Sequence, residues 1–287
     1  MKNYLLLLIS ISILSLSGCA FKLIKRSKEI VYAPALSGTN IPAQKLNVFA
    51  PLNKRSLKPV FIFIHGGNWN SGNKSLYNFF GNRLARKNIV AININYPLSP
   101  MAKYDQMAMS SAESVKWIKE NIKQYGGDPE RIYISGHSAG GHLATLISLD
   151  NKYFDSLKIQ NPIKGIVMID AAGLDMYGYL KEEKFGAGHT YLETFTQDQA
   201  KWKDATPLYH LHKDMPPMLI FRGGKTYPSI IKSNEKFIAT LPLYTDKFTY
   251  ILQKGKHHVP MIIQFFYPYN RRYKDIKRFM ETSKNIK

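Results

Sequence analysis

Along the chain, short continuous apolar runs alternate with stretches where apolar residues recur every three or four positions. Pro59-Val60-Phe61-Ile62-Phe63-Ile64 and Ile89 to Ile94 have no polar alternation to speak of, which predicts strands covered on both faces. Between them, Leu76, Phe79, Phe80 and Leu84 follow helical spacing, so Leu76 to Lys87 is predicted helical. Ala108, Ala112, Val115, Ile118 and Ile122 share one face of a longer helix, closed by Gly126-Gly127-Asp128-Pro129. A strand at Arg131 to Ser135, a helix at Ala139 to Leu149 and a strand at Ile163 to Ile169 follow. Met218 to Phe221, Ser229 to Leu241 and Lys247 to Leu252 repeat the order strand, helix, strand. This rhythm, from Lys45 onward, predicts an α/β fold with a mostly parallel sheet between two helical layers. Only Asp175 to Pro207 lacks a clean period. It carries Tyr177, Tyr179, Phe185, Tyr191, Phe195 and Trp202, and reads as a small cap over the carboxyl edge of the sheet.

Composition supports a single domain: 287 residues, 45% hydrophobic, with no repeat or linker dividing the body. One cysteine, Cys19, excludes a disulfide framework and a multi-cysteine metal site. Forty basic against twenty acidic residues give a net charge of +20, with 31 lysines to 9 arginines. No nucleic-acid-binding motif accompanies the charge, and arginine, the residue that reads phosphates and bases through a planar fork, is scarce. A nucleic-acid partner is therefore not expected. The excess suits a surface held beside anionic headgroups.

That inference meets the N-terminus. Lys2 precedes an apolar run from Leu5 to Leu16, too short for a stable span of a bilayer about 30 Å thick, so the segment reads as a signal peptide. Its ending, Leu16-Ser17-Gly18-Cys19, resembles the lipobox of bacterial lipoproteins. The resemblance implies acylation of Cys19 and a mature chain tied to a bacterial membrane in the cell envelope, on its periplasmic or outer face. The alternative is a cleaved secretory protein in which Cys19 is incidental. The expected organisation is a signal peptide over 1–18, a lipidated basic tether over 19–40, and a folded domain over 41–287 with its cap near 176–206.

The chemistry gathers at Gly136-His137-Ser138-Ala139-Gly140, between a predicted strand and a predicted helix. That context fits a nucleophile elbow, in which a serine projects from a tight, strained turn and small residues on either side avoid its neighbours. His65-Gly66-Gly67-Asn68-Trp69 directly follows another strand. Its glycines let backbone amides approach an oxygen that becomes negative in acyl transfer. Gly66, Gly67 and Ala139 are the candidate oxyanion hole, and His65 is expected to shape the loop rather than act as a base.

These two motifs, with Gly136 to Ala144 reading GHSAGGHLA and Tyr125-Gly126-Gly127-Asp128-Pro129 before it, resemble the α/β-hydrolase superfamily. Within it the chain is similar to the carboxylesterase-like branch that includes hormone-sensitive-lipase-type and kynurenine-formamidase-like enzymes, from about Leu46 to Phe266. The resemblance implies an eight-stranded, mostly parallel sheet and a serine–acid–histidine triad in that order, with no metal or cofactor. It places the histidine in Lys254-Gly255-Lys256-His257-His258-Val259-Pro260, and His258, directly before an apolar residue that opens a helix, is preferred to His257. The acid departs from the pattern: after Met218 to Phe221 the family's carboxylate position holds Thr226. Asp175 is the expected substitute, with Asp170 read as a backbone cap at the strand end and a Ser–His dyad as the remaining possibility. The function implied is hydrolysis of a small-molecule carboxylic ester through an acyl-enzyme. The alternatives are an amidase or formamidase, and a degenerate hydrolase that only binds.

Overall fold

The computed structural model describes residues 23–53 and 55–283. The predicted signal peptide and Cys19 lie outside the described residues, as do the last four residues of the basic C-terminal stretch. The strands are β1 (Ile24–Ala33), β2 (Gln44–Pro51), β3 (Lys58–Ile64), β4 (Val90–Ile94), β5 (Gly127–His137), β6 (Ile163–Ile169), β7 (Met218–Gly223) and β8 (Phe248–Gln253). They form one sheet in the order β1-β2-β4-β3-β5-β6-β7-β8. Only β2 opposes its neighbours; β3 to β8 all run parallel. This is the α/β-hydrolase sheet that the motifs implied.

Alternation within each strand explains the two helical layers. Val60, Ile62 and Ile64 of β3 enter one core, while Phe61 and Phe63 enter a second core on the opposite face. The first core is covered by α2 (Tyr104–Asn121), α3 (Ala139–Leu149), the short α4 (Lys152–Ser156) and α8 (Pro228–Thr240). The second is covered by α1 (Asn78–Ala85), α9 (His258–Ile263) and α10 (Arg272–Thr282). Each fully buried large apolar side chain contributes about 1.5–3 kcal/mol of transfer free energy, so both faces are needed to hold so extended a sheet. Helix α2 begins at Tyr104, one turn before the stripe that predicted it, because Gln106 reaches back to the Lys103 amide at 2.9 Å. Its far end passes through a 3-10 turn to Gly126, whose φ of +82° closes it as expected.

One boundary differs from expectation. The tether predicted over 19–40 is in part β1, paired with β2 from Ile24 opposite Pro51 to Ala33 opposite Gln44. Its charged residues are tolerated because it is an edge strand with much of its length exposed. Between β6 and β7 the cap consists of α5 (Met176–Glu183), α6 (Thr190–Phe195) and α7 (Gln199–Asp204). Its apolar side chains anchor it: Phe195 and Trp202 are buried, and Phe195 meets Trp69 edge-on with ring centres 5.0 Å apart.

Candidate active site

Ser138 stands between β5 and α3 with φ of 55° and ψ of −124°, a left-handed conformation rare for a side chain with a Cβ. The flanking glycines are required by contact. A Cβ on Gly136 would lie 2.2 Å from the Gly140 carbonyl carbon, and one on Gly140 would lie 2.1 Å from the Ile64 carbonyl oxygen. The turn is tied down by the Ser138 carbonyl, which accepts from the His142 and Ala172 amides, each at 3.1 Å. Ala139 opens α3, and an amide in the first turn has no partner within its own helix.

The loop after β3 approaches this serine closely. A Cβ on Gly66 would stand 3.2 Å from the Ser138 Cβ, and Gly67 has φ of +131°, leaving no room for one against the Ser71 carbonyl at 2.1 Å. Trp69 pins the loop: its indole N–H donates to His142 Nδ1 at 3.2 Å, and His142 Nε2 donates in turn to the Ala205 carbonyl at 2.7 Å. His65 donates from Nδ1 to the Gly66 carbonyl at 2.9 Å and stacks on Tyr96, so it shapes the loop. Burial lowers the pKa of both His65 and His142 to about 4, which keeps them neutral.

His258 opens α9 and lines the same cavity as Ser138; His257 is exposed. The carboxylate beside His258 is not Asp175. Asp170, fully buried just past the end of β6, accepts from His258 Nδ1 at 2.7 Å. Asp175 instead caps α5, accepting from the Gly178 amide at 3.1 Å, and pairs with Lys236 of α8 at 2.5 Å. Position 170 turns inward because its φ is 49° and its amide donates to the Phe221 carbonyl, which aims the side chain across β7. There the second carboxylate oxygen accepts from the Gly223 amide at 2.7 Å. Thr226 also donates to Asp170, at 2.5 Å. Three donors on one buried carboxylate hold its orientation. His137 is part of this site too. Its Nε2 donates to the His258 carbonyl at 3.2 Å, and burial, with the neighbouring His258, lowers its pKa to about 3.

The cavity over Ser138 is about 820 Å³, and its walls include Tyr77, Tyr179, Tyr191 and Tyr227. Of the cap aromatics singled out in the sequence, Tyr179 and Tyr191 therefore face the cavity, whereas Phe195 and Trp202 serve the core. Among the described residues, Asp150, Asp204 and His210 have metal-ligating proximity. Lys152 already pairs with both carboxylates, and Tyr104 donates to Asp204 at 2.7 Å, so the cluster clamps the cap to the sheet-side helices.

A mostly parallel eight-stranded sheet carrying a strained serine between strand and helix defines the α/β-hydrolase class. Residues 46–235 match the BD-FAE family model, and the chain belongs to that family. It is similar to isoprenylcysteine alpha-carbonyl methylesterase ICME of Arabidopsis thaliana, 26% identical over 238 residues, covering 78% of this chain and 55% of the relative. Esterase LipC of Mycobacterium tuberculosis is also 26% identical, over 70% of this chain and 52% of the relative. The chain thus spans about half the length of these curated relatives. Among solved structures, esterase B from Lactobacillus rhamnosis matches with a TM-score of 0.76 at 18% identity, covering 99% of this chain and 93% of the other. A truncated carbohydrate esterase from gut microbiota matches at 0.72 and 18%, covering 91% and 96%. At such identities the likeness is one of fold.

Proposed function

We propose that the protein is a serine hydrolase of carboxylic esters working through an acyl-enzyme. The observation that carries this is the fully hydrogen-bonded Asp170 on Nδ1 of His258, with Ser138 in the same cavity. With Nδ1 donating to Asp170, the other ring nitrogen is left as the base. His258 Nε2 takes the Ser138 proton as its oxygen attacks the ester carbonyl, and Asp170 stabilises the imidazolium that forms. The amides of Gly66, Gly67 and Ala139 receive the developing oxyanion, where one donor is worth about 10²–10³ in turnover. His258 then protonates the departing alcohol, and water activated by the same nitrogen releases the acyl group. Relatives named as esterases support ester over amide bonds. Turnover of p-nitrophenyl acetate or butyrate by the protein and by Ser138→Ala tests the assignment; equal rates reject it.

The N-terminal motif extends the reading. We propose that Cys19 is acylated and fixes the enzyme to a bacterial envelope membrane, with the +20 charge favouring anionic headgroups. Incorporation of an alkynyl fatty acid that persists in Cys19→Ala would refute this.

A further inference from the structure

We propose that an uncharged strip leading out of the cavity binds a linear alkyl chain of the ester, so that esters with a medium-length chain are the preferred substrates. This rests on the hydrolase reading above and adds the substrate class. Helix α9 supplies the first observation. Its inner face, continued by the 3-10 turn Gln264–Phe266, buries Met261, Ile262 and Phe265. A surface helix normally turns polar residues to water on the opposite side. Here that side presents Val259, Ile263 and Phe266, which are 50, 49 and 52% exposed. Single exposed apolar residues need no explanation, but a contiguous set beside a catalytic cavity marks a binding surface.

Two apolar edges run from the cavity to one end point. On one edge Val259 lines the cavity, Ile263 follows a turn later on the same face of α9, and Phe266 comes next. On the other edge Leu76 and Tyr77 line the cavity. The rings of Tyr77 and Phe79 have centres 6.3 Å apart, and Phe79 stacks on Phe266 at 3.7 Å. The strip is thus continuous with the space over Ser138 and ends at an aromatic pair. None of these six side chains is charged, in a chain with forty basic and twenty acidic residues. Their occupant is apolar and unbranched, and its continuity with the cavity makes it part of the substrate. From Val259 to Phe266 the helical rise is about 10 Å. An extended covalent chain advances about 1.2 Å per bond, since the three backbone bonds of a residue span at most about 3.6 Å. A chain of about eight carbons therefore reaches the stacked rings.

The test measures kcat/KM along two series, each kept below the concentration at which the ester aggregates. p-Nitrophenyl acyl esters lengthen the acyl half, and n-alkyl acetates lengthen the alcohol half. A methylene taken fully from water is worth about fourfold, and on a strip open to one side about twofold. One series should therefore gain at least about tenfold from its butyl to its octyl member, and level off beyond about ten carbons. The series that gains names the half of the ester lying on the strip. In Ile263→Ser/Phe266→Ser the gain should shrink to about twofold, while p-nitrophenyl acetate turnover stays within about twofold of native, because neither side chain lines the cavity. Calorimetric binding of methyl octanoate and of octyl acetate to Ser138→Ala reads the strip without turnover. The same two substitutions should weaken one of these ligands about fivefold. Flat profiles in both series, or a gain that survives the double variant, overturn the proposal. A gain seen only above the aggregation concentration assigns the strip to a lipid surface and overturns it too. So does a dimer that dissociates in the double variant while the chain preference is unchanged, which assigns the strip to a second copy. Absence of ester turnover with the binding difference intact would instead overturn the hydrolase reading alone.

Discussion

Exchanging the two aspartates at the end of β6 separates the acid that faces the histidine from the one that does not. In Asp170→Asn, one of two carboxylate oxygens becomes a donor, while three donors still converge on the site from His258, Thr226 and Gly223. If the amide nitrogen faces His258, the imidazole must accept at Nδ1 and carry its proton on the nitrogen meant to act as base. The loss expected for a wrong tautomer is about 10⁴ in kcat, or about 5.4 kcal/mol at 1.36 kcal/mol per decade. If the amide turns the other way, its N–H₂ faces the Gly223 N–H, which costs about 1–3 kcal/mol of stability for the unpaired buried groups. Asp175→Asn changes far less. Asparagine still caps α5, and the ion pair to Lys236, whose side chain is half exposed, is worth about 1 kcal/mol or less. Its rate should remain within about twofold of native. Initial rates on p-nitrophenyl butyrate, with denaturant midpoints to control for folding, read both variants. Greater loss in Asp175→Asn than in Asp170→Asn would refute the assignment.

Stability should fall with acidification because buried histidines cannot charge in the fold. His65 and His142 titrate near 4 and His137 near 3, against 6.5 when unfolded, so the unfolded chain binds the extra protons. Their contribution is complete above about pH 6.5 and declines as pH falls towards 4, at up to about 1.4 kcal/mol per pH unit for each. Urea midpoints measured from pH 7 to 4.5 should show the slope, and His142→Gln should make it shallower; an unchanged slope contradicts the account. Gly140→Ala should cost about 3 kcal/mol or more, because the new methyl meets backbone oxygens of Ile64 and His65 that cannot rotate aside. A native denaturation midpoint for that variant would show the elbow to be looser than described.

What could be read from the sequence follows from how local each signal is. Ser138 and the two glycines around it declare themselves within five residues, because steric demands of the turn fall on immediate neighbours. His258 was legible for the same reason, as the residue that opens α9 after β8. Asp170 was not. Its partners Thr226, Gly223 and His258 are 53 to 88 residues distant, and only the pairing of β6 with β7 brings them together. A residue just past a strand end looks like a backbone cap until its left-handed φ is known. Edge strand β1 was hidden by its composition, since Lys25, Arg26 and Lys28 suit an exposed margin as well as a loose tether.

With Cys19 acylated as proposed, that strand would also set which way the cavity faces. It opposes β2, which opposes β4, so it runs in the direction of the parallel strands. Ile24 therefore lies at the edge where those strands begin, while Ser138, Asp170 and His258 gather where they end. From Cys19 to Ile24 there are five peptide steps, spanning at most about 18 Å. Lipid on Cys19 would hold the starting edge of the sheet against the bilayer and turn the cavity outward. The esters within reach would be those dissolved in the surrounding fluid, and the lipids of the carrying membrane would lie behind the catalyst.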